Sequence, residues 1–332
     1  MSTVGTKLGW KDAAAATDPS GKTLEIVEMM DEVNPVLGDI PMVPGNQGST
    51  HMMSVRDGIP DPTFRRLNRG TPVTKATEHA IEFGAAIVED RGEIDEILVA
   101  RIKEKEKFRL RQNKGHIQGI GQTLASTLFY GDVEANADRF TGLSAFYSDL
   151  AADSGDNVID AGGNDSDLTS MWLILWNEDT NTGFYPDGGK AGIEHQDKGL
   201  EKCFDSDSNP LYKFVDIFRA QMGLAWGDWR QGARIANLDL SALATAGDET
   251  DTSANLLKFA IQAKGKIFNT NVGKGYWYAR REVKTALDIK ARNKPNLQIN
   301  MATLANGDQV TMLEGYPVHL CDALLPTESR VV

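Results

Sequence analysis

Residues 36–90 constrain the fold of this chain most, because their pattern predicts a long hairpin with almost no core of its own. Residues 50–56 have the alternating character of a strand, and Asp57-Gly58 supplies a turn, since glycine adopts the positive φ that tight turns require. Residues 63–68 are the predicted returning strand, and residues 59–62 widen the tip. A hairpin this poor in apolar residues needs another protein surface, so the pattern indicates contact with a partner subunit.

The strongest helical pattern lies at residues 93–129. Its apolar residues recur every three or four positions along one stripe: Ile94, Ile97, Leu98, Ile102, Ile117, Ile120, Leu124 and Leu128. Residues 101–111 are rich in charge, which favours a solvated helix face, with contact to a partner subunit or to nucleic acid as the alternative. A continuous helix would exceed about 50 Å at about 1.5 Å per residue, and Gly115, Gly119 and Gly121 are the positions where it could bend or break.

The remaining patterns alternate between strand and helix. The predicted strands are residues 171–176, 212–237 and 276–278. The predicted helices are residues 24–33, 253–268 and 282–291. The predicted loop regions are residues 1–23, which suit an extended arm, and the acidic residues 133–168, while the glycine-rich residues 183–199 are predicted to form exposed loops and hairpins. Such alternation predicts an α/β or α+β fold with a real core.

The charge and the cysteines exclude several classes of protein. A net charge of −12 argues against a protein that holds nucleic acid through many phosphate contacts, because such a surface is basic. Cys203 and Cys321 are too few for a disulfide framework, so we expect two buried, reduced thiols. No segment is long and apolar enough to predict a signal peptide or a membrane span, and we expect a cytoplasmic protein.

No residue pattern predicts a catalytic or cofactor site. Gly119-Ile-Gly121 lies inside a predicted helix and lacks the third glycine of a dinucleotide motif. Gly21-Lys22-Thr23 lacks both the first glycine and the preceding strand of a phosphate loop. The histidines are scattered, none at ligand spacing from another: His51, His79, His116, His195 and His319.

No residue pattern predicts a metal site either. Asp205, Asp207, Asn209 and Asp216 weakly resemble the ligand spacing of a calcium-binding loop. Pro210 stands where such a loop needs its turn glycine, so we reject it. Asp165 and Asp167 have no third ligand that spacing in the sequence can supply.

Several motifs resemble those of one family. Residues 313–326, with Gly-Tyr-Pro-Val at their centre, resemble the glycine-x-proline strand near the C-terminus of tailed-phage major capsid proteins. Residues 54–60 and 64–70 are similar to a segment in capsid proteins of one podovirus-like group. Further counterparts in that group are residues 125–131, 140–143, 158–163 and 234–238. Together these motifs span most of the chain.

The resemblance implies the Hong Kong 97-type shell fold, an α+β fold with peripheral and axial domains. The implied parts are an N-terminal arm and short helix at residues 1–35, an E-loop hairpin at 36–90, a spine helix of the peripheral domain at 91–132, and the axial domain with the remaining peripheral strands at 133–332. The residues expected to contact neighbouring subunits through the E-loop are Arg56, Asp57, Gly58, Ile59, Pro60, Phe64, Arg65, Arg66 and Arg69.

The resemblance also implies the role. The chain is expected to be a structural major capsid protein, without enzymatic activity or cofactor, that assembles as pentamers and hexamers into an icosahedral phage head. The head would enclose double-stranded DNA without sequence-specific binding, and the negative charge would keep the DNA from sticking. Expected partners are a separate scaffolding protein, a portal and a candidate decoration protein, with no membrane. The expected place is the virion, assembled in the host bacterial cytoplasm.

Two other functions stay open at this point. An encapsulin-like cellular compartment would share the fold but would need a cargo-binding groove, which the sequence does not reveal. A soluble α/β enzyme would need a site that none of the rejected motifs supplies. The order of the C-terminal strands is also open, because few residues follow Pro326. No covalent cross-link is expected from Lys75, since nothing identifies its acceptor.

Overall fold

The computed structural model describes residues 34–245, 255–293, 299–303 and 309–332. The strands are β1 (Met42–Pro44), β2 (Thr50–Gly58), β3 (Thr77–Gly84), β4 (Ala86–Asp95), β5 (Val158–Asp160), β6 (Leu168–Trp176), β7 (Asn181–Tyr185), β8 (Ile193–Phe204), β9 (Pro210–Trp226), β10 (Gly232–Asp239), β11 (Lys274–Ala279), β12 (Ile299–Thr303), β13 (Gln309–Leu313) and β14 (Tyr316–Leu320). The helices are α1 (Val36–Asp39), α2 (Glu96–Ala100), α3 (Lys105–Tyr130), α4 (Leu143–Phe146), α5 (Leu240–Thr245), α6 (Leu256–Lys266) and α7 (Arg281–Asn293). Within the described ranges no helix is both long and apolar enough to cross a membrane.

A five-stranded sheet supports the long helix α3. Its order is β1-β7-β9-β4, with β8 paired to the other part of β9. The long strand β9 is antiparallel to β4, β7 and β8, while β1 runs parallel to β7. Helix α3 packs on β4 and β9, where Phe218, Ala220 and Met222 share one face of the sheet and join the core below the helix.

A seven-stranded sheet forms the second layer, in the order β12-β13-β14-β11-β6-β10-β5. Strand β6 lies between β11 and β10 and is buried along its whole length, which explains its apolar sequence from Met171 to Trp176. Helix α6 packs against β10 and α7 against β14, burying Phe259, Val283 and Leu287 in one core cluster. The open question about the C-terminal strands is thus answered, because β14 lies between β13 and β11, and the described residues after it form no strand.

The predicted hairpin exists, but its returning strand was placed wrongly. Residues 63–68 are not a strand; β2 pairs with β3, so that Arg56 lies opposite Glu78 and Gly58 opposite Thr77. Prolines and Gly70 punctuate the residues between the two strands, and a proline cannot donate a hydrogen bond to a strand ladder. The hairpin therefore has a longer stem and a longer tip than the sequence suggested.

The predicted helix at residues 93–129 is really a strand end followed by two helices. Residues 93–95 complete β4, paired with residues 213–215, and the side chain of Asp95 then caps α2 by accepting a bond from the backbone of Ile97. The break falls at residues 101–104, before α3 begins, and the glycines at which a bend was expected lie inside a continuous helix. Ile97 and Ile117 of the predicted stripe are exposed, whereas Phe108, which it omitted, is fully buried.

Most of the other predicted strands and helices are confirmed. Strand predictions at residues 171–176, 212–237 and 276–278 are confirmed as β6, as β9 with β10, and as β11. The helices predicted at 253–268 and 282–291 are confirmed as α6 and α7, although Asn255 is the residue whose side chain caps α6. Residues 183–199, where exposed loops and hairpins were predicted, contain most of β7 and part of β8. The predicted helix at residues 24–33 lies outside the described residues.

A buried polar cluster fixes α3 on its sheet. Asp216 of β9 is 1% exposed, and both of its carboxylate oxygens accept from Arg109 of α3 at 3.0 and 3.1 Å. The same guanidinium lies 2.9 Å from Asp197, and Nε2 of His195 lies 2.8 Å from Asp216. Because Arg109 is the cation of this cluster, its loss would leave a buried carboxylate with histidine alone as a partner.

Replacing Arg109 by methionine should therefore destabilise the subunit by about 2 kcal/mol at neutral pH, as measured by urea unfolding. Arg109 lowers the pKa of Asp197. A lowered pKa contributes stability above the ordinary value of about 3.9 and loses it as the pH falls. The difference between the two proteins should consequently shrink below about pH 4. A difference that grows on acidification would contradict this account of the cluster.

Candidate inter-subunit surface

The segment between β2 and β3, residues 59–76, is called the hairpin tip. Four of its apolar side chains are almost completely exposed, with Ile59 at 88%, Leu67 at 93% and Val73 at 99%, and Phe64 fully open. A turn at residues 66–69 closes the end, with the backbone N–H of Arg69 bonded to the carbonyl of Arg66 and with Asn68 at positive φ. Apolar side chains exposed together in this way mark a surface that another protein covers.

The hairpin tip is basic although the chain is acidic. It carries Arg65, Arg66, Arg69 and Lys75 against the single acid Asp61, whereas the whole chain has a net charge of −12. All five of these side chains are exposed. A basic, apolar tip is complementary to the acidic surface that the rest of the chain presents, so another copy of the same chain is a suitable partner.

The residues predicted to contact neighbouring subunits divide between stem and tip. Arg56 lies on the stem and forms an exposed ion pair with Glu78 across the strands, at 2.8 Å. Gly58 ends β2, and a β-carbon there would collide with the side chain of Thr77. The residues that the structure places together on the hairpin tip are Ile59, Pro60, Phe64, Arg65, Arg66 and Arg69. The backbone of Asp57 belongs to β2, and its side chain lies outside the described part of the structure.

Sequence reasoning missed several residues of this surface. Val73 is as exposed as Phe64, and Lys75 adds a charge, yet both lie beyond the predicted returning strand and were not counted. The run from Gly70 to Pro72 is typical of a loop and not of a strand, and it could have indicated that Val73 and Lys75 lie on the hairpin tip.

The stem is anchored to the five-stranded sheet at its base. Phe83 of β3 is buried in the main core cluster, and Met53 and Ile81 pack against that cluster. The side chain of Asn46 forms two bonds with the backbone of Met52, donating to its carbonyl and accepting from its N–H, each at 2.8 Å. This amide occupies the place of a neighbouring strand, so the base of β2 is held while the tip projects.

Replacing Asn46 by alanine should loosen the stem without unfolding the subunit. Two backbone groups of Met52 would lose their partners, at a local cost of about 1–2 kcal/mol. Amide hydrogen exchange at residues 51–53 should accelerate by about tenfold, while exchange in β6 stays unchanged. Unchanged exchange at Met52 would show that the side chain of Asn46 does not hold the stem.

A groove lies beside the base of the stem. It has a volume of about 440 Å³ and lies between β2 and the turn that follows β9, where Arg56, Asp228 and Trp229 line it. Arg230 on its rim pairs with Asp228 at 2.8 Å and stacks on Phe268 at 4.5 Å. The side chains of Arg56, Asp228 and Arg230 are therefore engaged within the same chain.

Two acidic clusters have structural roles within the chain. Asp205 closes the β8–β9 turn by accepting from the backbone of Asp207 and Asn209, and Asp216 lies in the cluster with Arg109, so the calcium-like spacing reflects a hairpin turn. Spacing in the sequence supplies no third partner for Asp165 and Asp167, but the fold brings Asp239 beside them. The carboxylates of Asp167 and Asp239 accept from backbone N–H groups at the start of α5, which explains this cluster structurally.

Comparisons with known proteins find phage capsid proteins, whose subunits contact one another in a shell. The family model of the "Major capsid protein GP7" matches residues 18–332. The solved structure of bacteriophage Epsilon15 is 26% identical and has a TM-score of 0.77, covering 99% of this chain and 98% of that chain. The capsid of bacteriophage JBD30 is 10% identical with a TM-score of 0.52, covering 90% of this chain and 93% of that chain, and shows the fold alone. No curated protein matches the chain.

Proposed function

We propose, on the premise that this chain belongs to the major capsid protein GP7 family, that its hairpin tip is the clamp between neighbouring subunits of the shell. The chain is a structural protein of a phage head and has the Hong Kong 97-type α+β fold. Its copies assemble with one another into the icosahedral shell. The observation that carries the clamp proposal is the exposure of four apolar side chains on the hairpin tip, Ile59, Phe64, Leu67 and Val73. No residue of the hairpin tip belongs to the main core cluster.

A projecting hairpin can contact a neighbouring subunit without disturbing the core of its own domain. Obligate contacts between subunits bury about 2,000 Å² or more, and a tip that projects from its own domain adds contact area at little cost to its own fold. The stem is held at its base by Asn46 and Phe83, so the tip is presented in one direction. Each subunit offers one tip and receives another, so the contacts of a closed shell reinforce one another.

The finer parts of the role are also proposals. We retain the predicted domain division at residues 1–35, 36–90, 91–132 and 133–332. The hairpin of β2 and β3 supports the second of these parts, and α3 supports the third. A scaffolding protein, a portal and a decoration protein are retained as partners on the family resemblance, as is assembly in the host cytoplasm. The absence of enzymatic activity is proposed because the clusters described above are engaged in structural bonds within the chain. An encapsulin-like role has no supporting observation.

The double substitution Phe64→Ala with Leu67→Ala tests the clamp without altering the fold. Both side chains are exposed in the subunit, so its unfolding free energy should change by less than about 0.5 kcal/mol. The protein concentration required for shell formation should rise by at least about tenfold, because two apolar contacts are lost at every interface. Sedimentation across a concentration series measures this threshold.

A control removes two exposed apolar side chains away from the hairpin tip, Ile87→Ala with Ile97→Ala, which are 62% and 60% exposed. The proposal expects a smaller shift of the assembly threshold for the control than for the tip variant. An unchanged threshold in the tip variant would overturn the clamp.

A further inference from the structure

One histidine lies where the stem of the hairpin joins the five-stranded sheet. His51 of β2 is opposite Phe83 of β3, and its ring centroid lies 5.4 Å from that of Phe184 on β7. Phe83 and Phe184 are both buried in the main core cluster. Because opposite residues of a strand pair share one face, the imidazole points toward this core. We call His51, Phe83 and Phe184 the stem joint.

The imidazole of the stem joint has a buried nitrogen without a hydrogen-bond partner. Nδ1 of His51 is shielded from solvent, and no described residue bonds to it. A neutral ring tolerates this, because Nδ1 carries only a lone pair when the proton is on Nε2. A charged ring has an N–H group on both nitrogens, so protonation would bury a charged donor at a position that offers no acceptor. The joint therefore fits the neutral ring.

The strands that pack at the stem joint bring few charges to it. Residues 220–226 of β9, part of which pairs with β7, contain no titratable side chain, and β7 contains only Tyr185. Glu82 of β3 is next in sequence to a core-facing residue, so it points to the face of the stem away from His51. Asp187, in the turn after β7, is exposed. An imidazolium at the joint would thus find little compensating charge.

His51 differs in this respect from other histidines of the subunit. His116, His195 and His319 each have a ring nitrogen within 2.8 Å of an aspartate carboxylate, which can hold a proton on the ring. Within the described ranges no carboxylate pairs with His51. Burial accordingly lowers the pKa of His51 from its ordinary value.

We propose that the stem joint is a pH-sensitive hinge, in which the neutral ring of His51 holds the base of the hairpin on the sheet and protonation releases it. A histidine that is harder to protonate in the closed joint than in the open one stabilises the closed joint fully above about pH 6.5, and this stabilisation declines as the pH falls below that value. The bonds between Asn46 and Met52 do not titrate, so the outer edge of β2 stays attached while the ring leaves.

The hinge is a property of a single subunit, so the inference goes beyond the clamp and does not rest on it. Its consequence is that acidification frees the direction in which the hairpin tip is presented.

Amide hydrogen exchange of the full-length, unassembled chain at two pH values tests the hinge. After correction for the intrinsic effect of pH on exchange, protection at residues 51–53 and 81–83 should be about three- to tenfold lower at pH 5.5 than at pH 7.5. About tenfold is the upper bound, because an unhindered imidazole is about 90% protonated at pH 5.5 and about 10% protonated at pH 7.5.

His51→Phe and His51→Gln each place an uncharged side chain at the joint at both pH values. In either variant the protection of these amides should be equal at the two pH values. His79→Gln is the matched control, because His79 lies on β3 of the same stem but is exposed. This control should keep the pH dependence of the unaltered protein.

The hinge is overturned if the unaltered protein is equally protected at both pH values, if both His51 variants keep the loss at low pH, or if His79→Gln abolishes it. A ring titration followed by NMR in the unaltered protein supplies a test that needs no substitution. A midpoint for His51 below about pH 6.5 is expected, and a midpoint at or above that value would contradict the proposal.

Discussion

Replacing residues 59–76 by a two-residue Asn-Gly turn should leave a folded subunit that forms no shells. Gly58 and Thr77 are paired at the end of the stem, so a two-residue turn can close the strands there. The four exposed apolar side chains of the hairpin tip are removed, and none of them contributes to a core cluster. The fold should therefore keep its stability while the contact between subunits is lost.

The position of this cut depends on the structure. A deletion of residues 50–70, which the sequence pattern suggests, would remove β2 and leave β3 without its partner. Circular dichroism and urea unfolding measure whether the shortened subunit folds, and electron microscopy with sedimentation measures whether it assembles. A folded variant that still forms closed particles at the ordinary concentration would show that the hairpin tip is not the clamp.

Replacing Glu328 by alanine should destabilise the subunit by about 3–5 kcal/mol, the largest effect we expect from one side chain. Glu328 and Arg234 are each 5% exposed and lie 2.7 Å apart. Arg234 also donates to Ser170 at 3.0 Å and to the carbonyl of Tyr147 at 2.9 Å, and the hydroxyl groups of Ser170 and Tyr130 donate to Glu328. Without the carboxylate, the buried guanidinium of Arg234 loses its only anionic partner among the described residues, and the buried phenol of Tyr130 loses its acceptor.

This cluster joins parts of the chain that are distant in sequence. Tyr130 ends α3, Ser170 lies on β6, Arg234 on β10, and Glu328 belongs to the C-terminal segment. Burial, followed by the nearby carboxylate of Glu328, raises the pKa of Tyr130, so the phenol stays protonated and remains a donor. The C-terminal segment is held further along by Asn237, which exchanges two bonds with the backbone of Val331, each 2.9 Å long.

The matched control for Glu328→Ala is Glu282→Ala. Glu282 also pairs with an arginine, Arg280, at 2.9 Å, but its side chain is 50% exposed. Its loss should cost less than about 1 kcal/mol. Glu328→Gln keeps an acceptor without the charge and should fall between the two alanine variants. Equal urea midpoints for the two alanine variants would contradict the role assigned to the buried cluster.

The sequence predicted elements whose signal is local. The continuous apolar run of β6 and the helical spacing of α6 and α7 reflect burial that each element experiences along its own length. The strand β2 was also recognised, and the need of its hairpin for another surface followed from its shortage of apolar residues. The resemblance of separate motifs to capsid proteins supplied the fold, which no single pattern could have given.

The parts that failed depend on distant contacts. Strand β3 has little apolar alternation of its own and is a strand because β2 lies beside it. Residues 93–95 were predicted to be helical because Ile94 has helical spacing with the apolar residues of α2. They pair with β9 and therefore belong to β4. Glu328 had no signal at all, since its partner Arg234 lies 94 residues away and a lone glutamate near a chain end normally predicts a solvated side chain.

The most direct test of the clamp is a density map of the assembled particle at side-chain resolution. We predict that Phe64, Leu67 and Val73 of each subunit are buried against a neighbouring copy, and that Arg65, Arg66 and Arg69 face acidic side chains of that copy. A map in which the hairpin tip remains exposed to solvent, or folds back on its own subunit, would contradict the account.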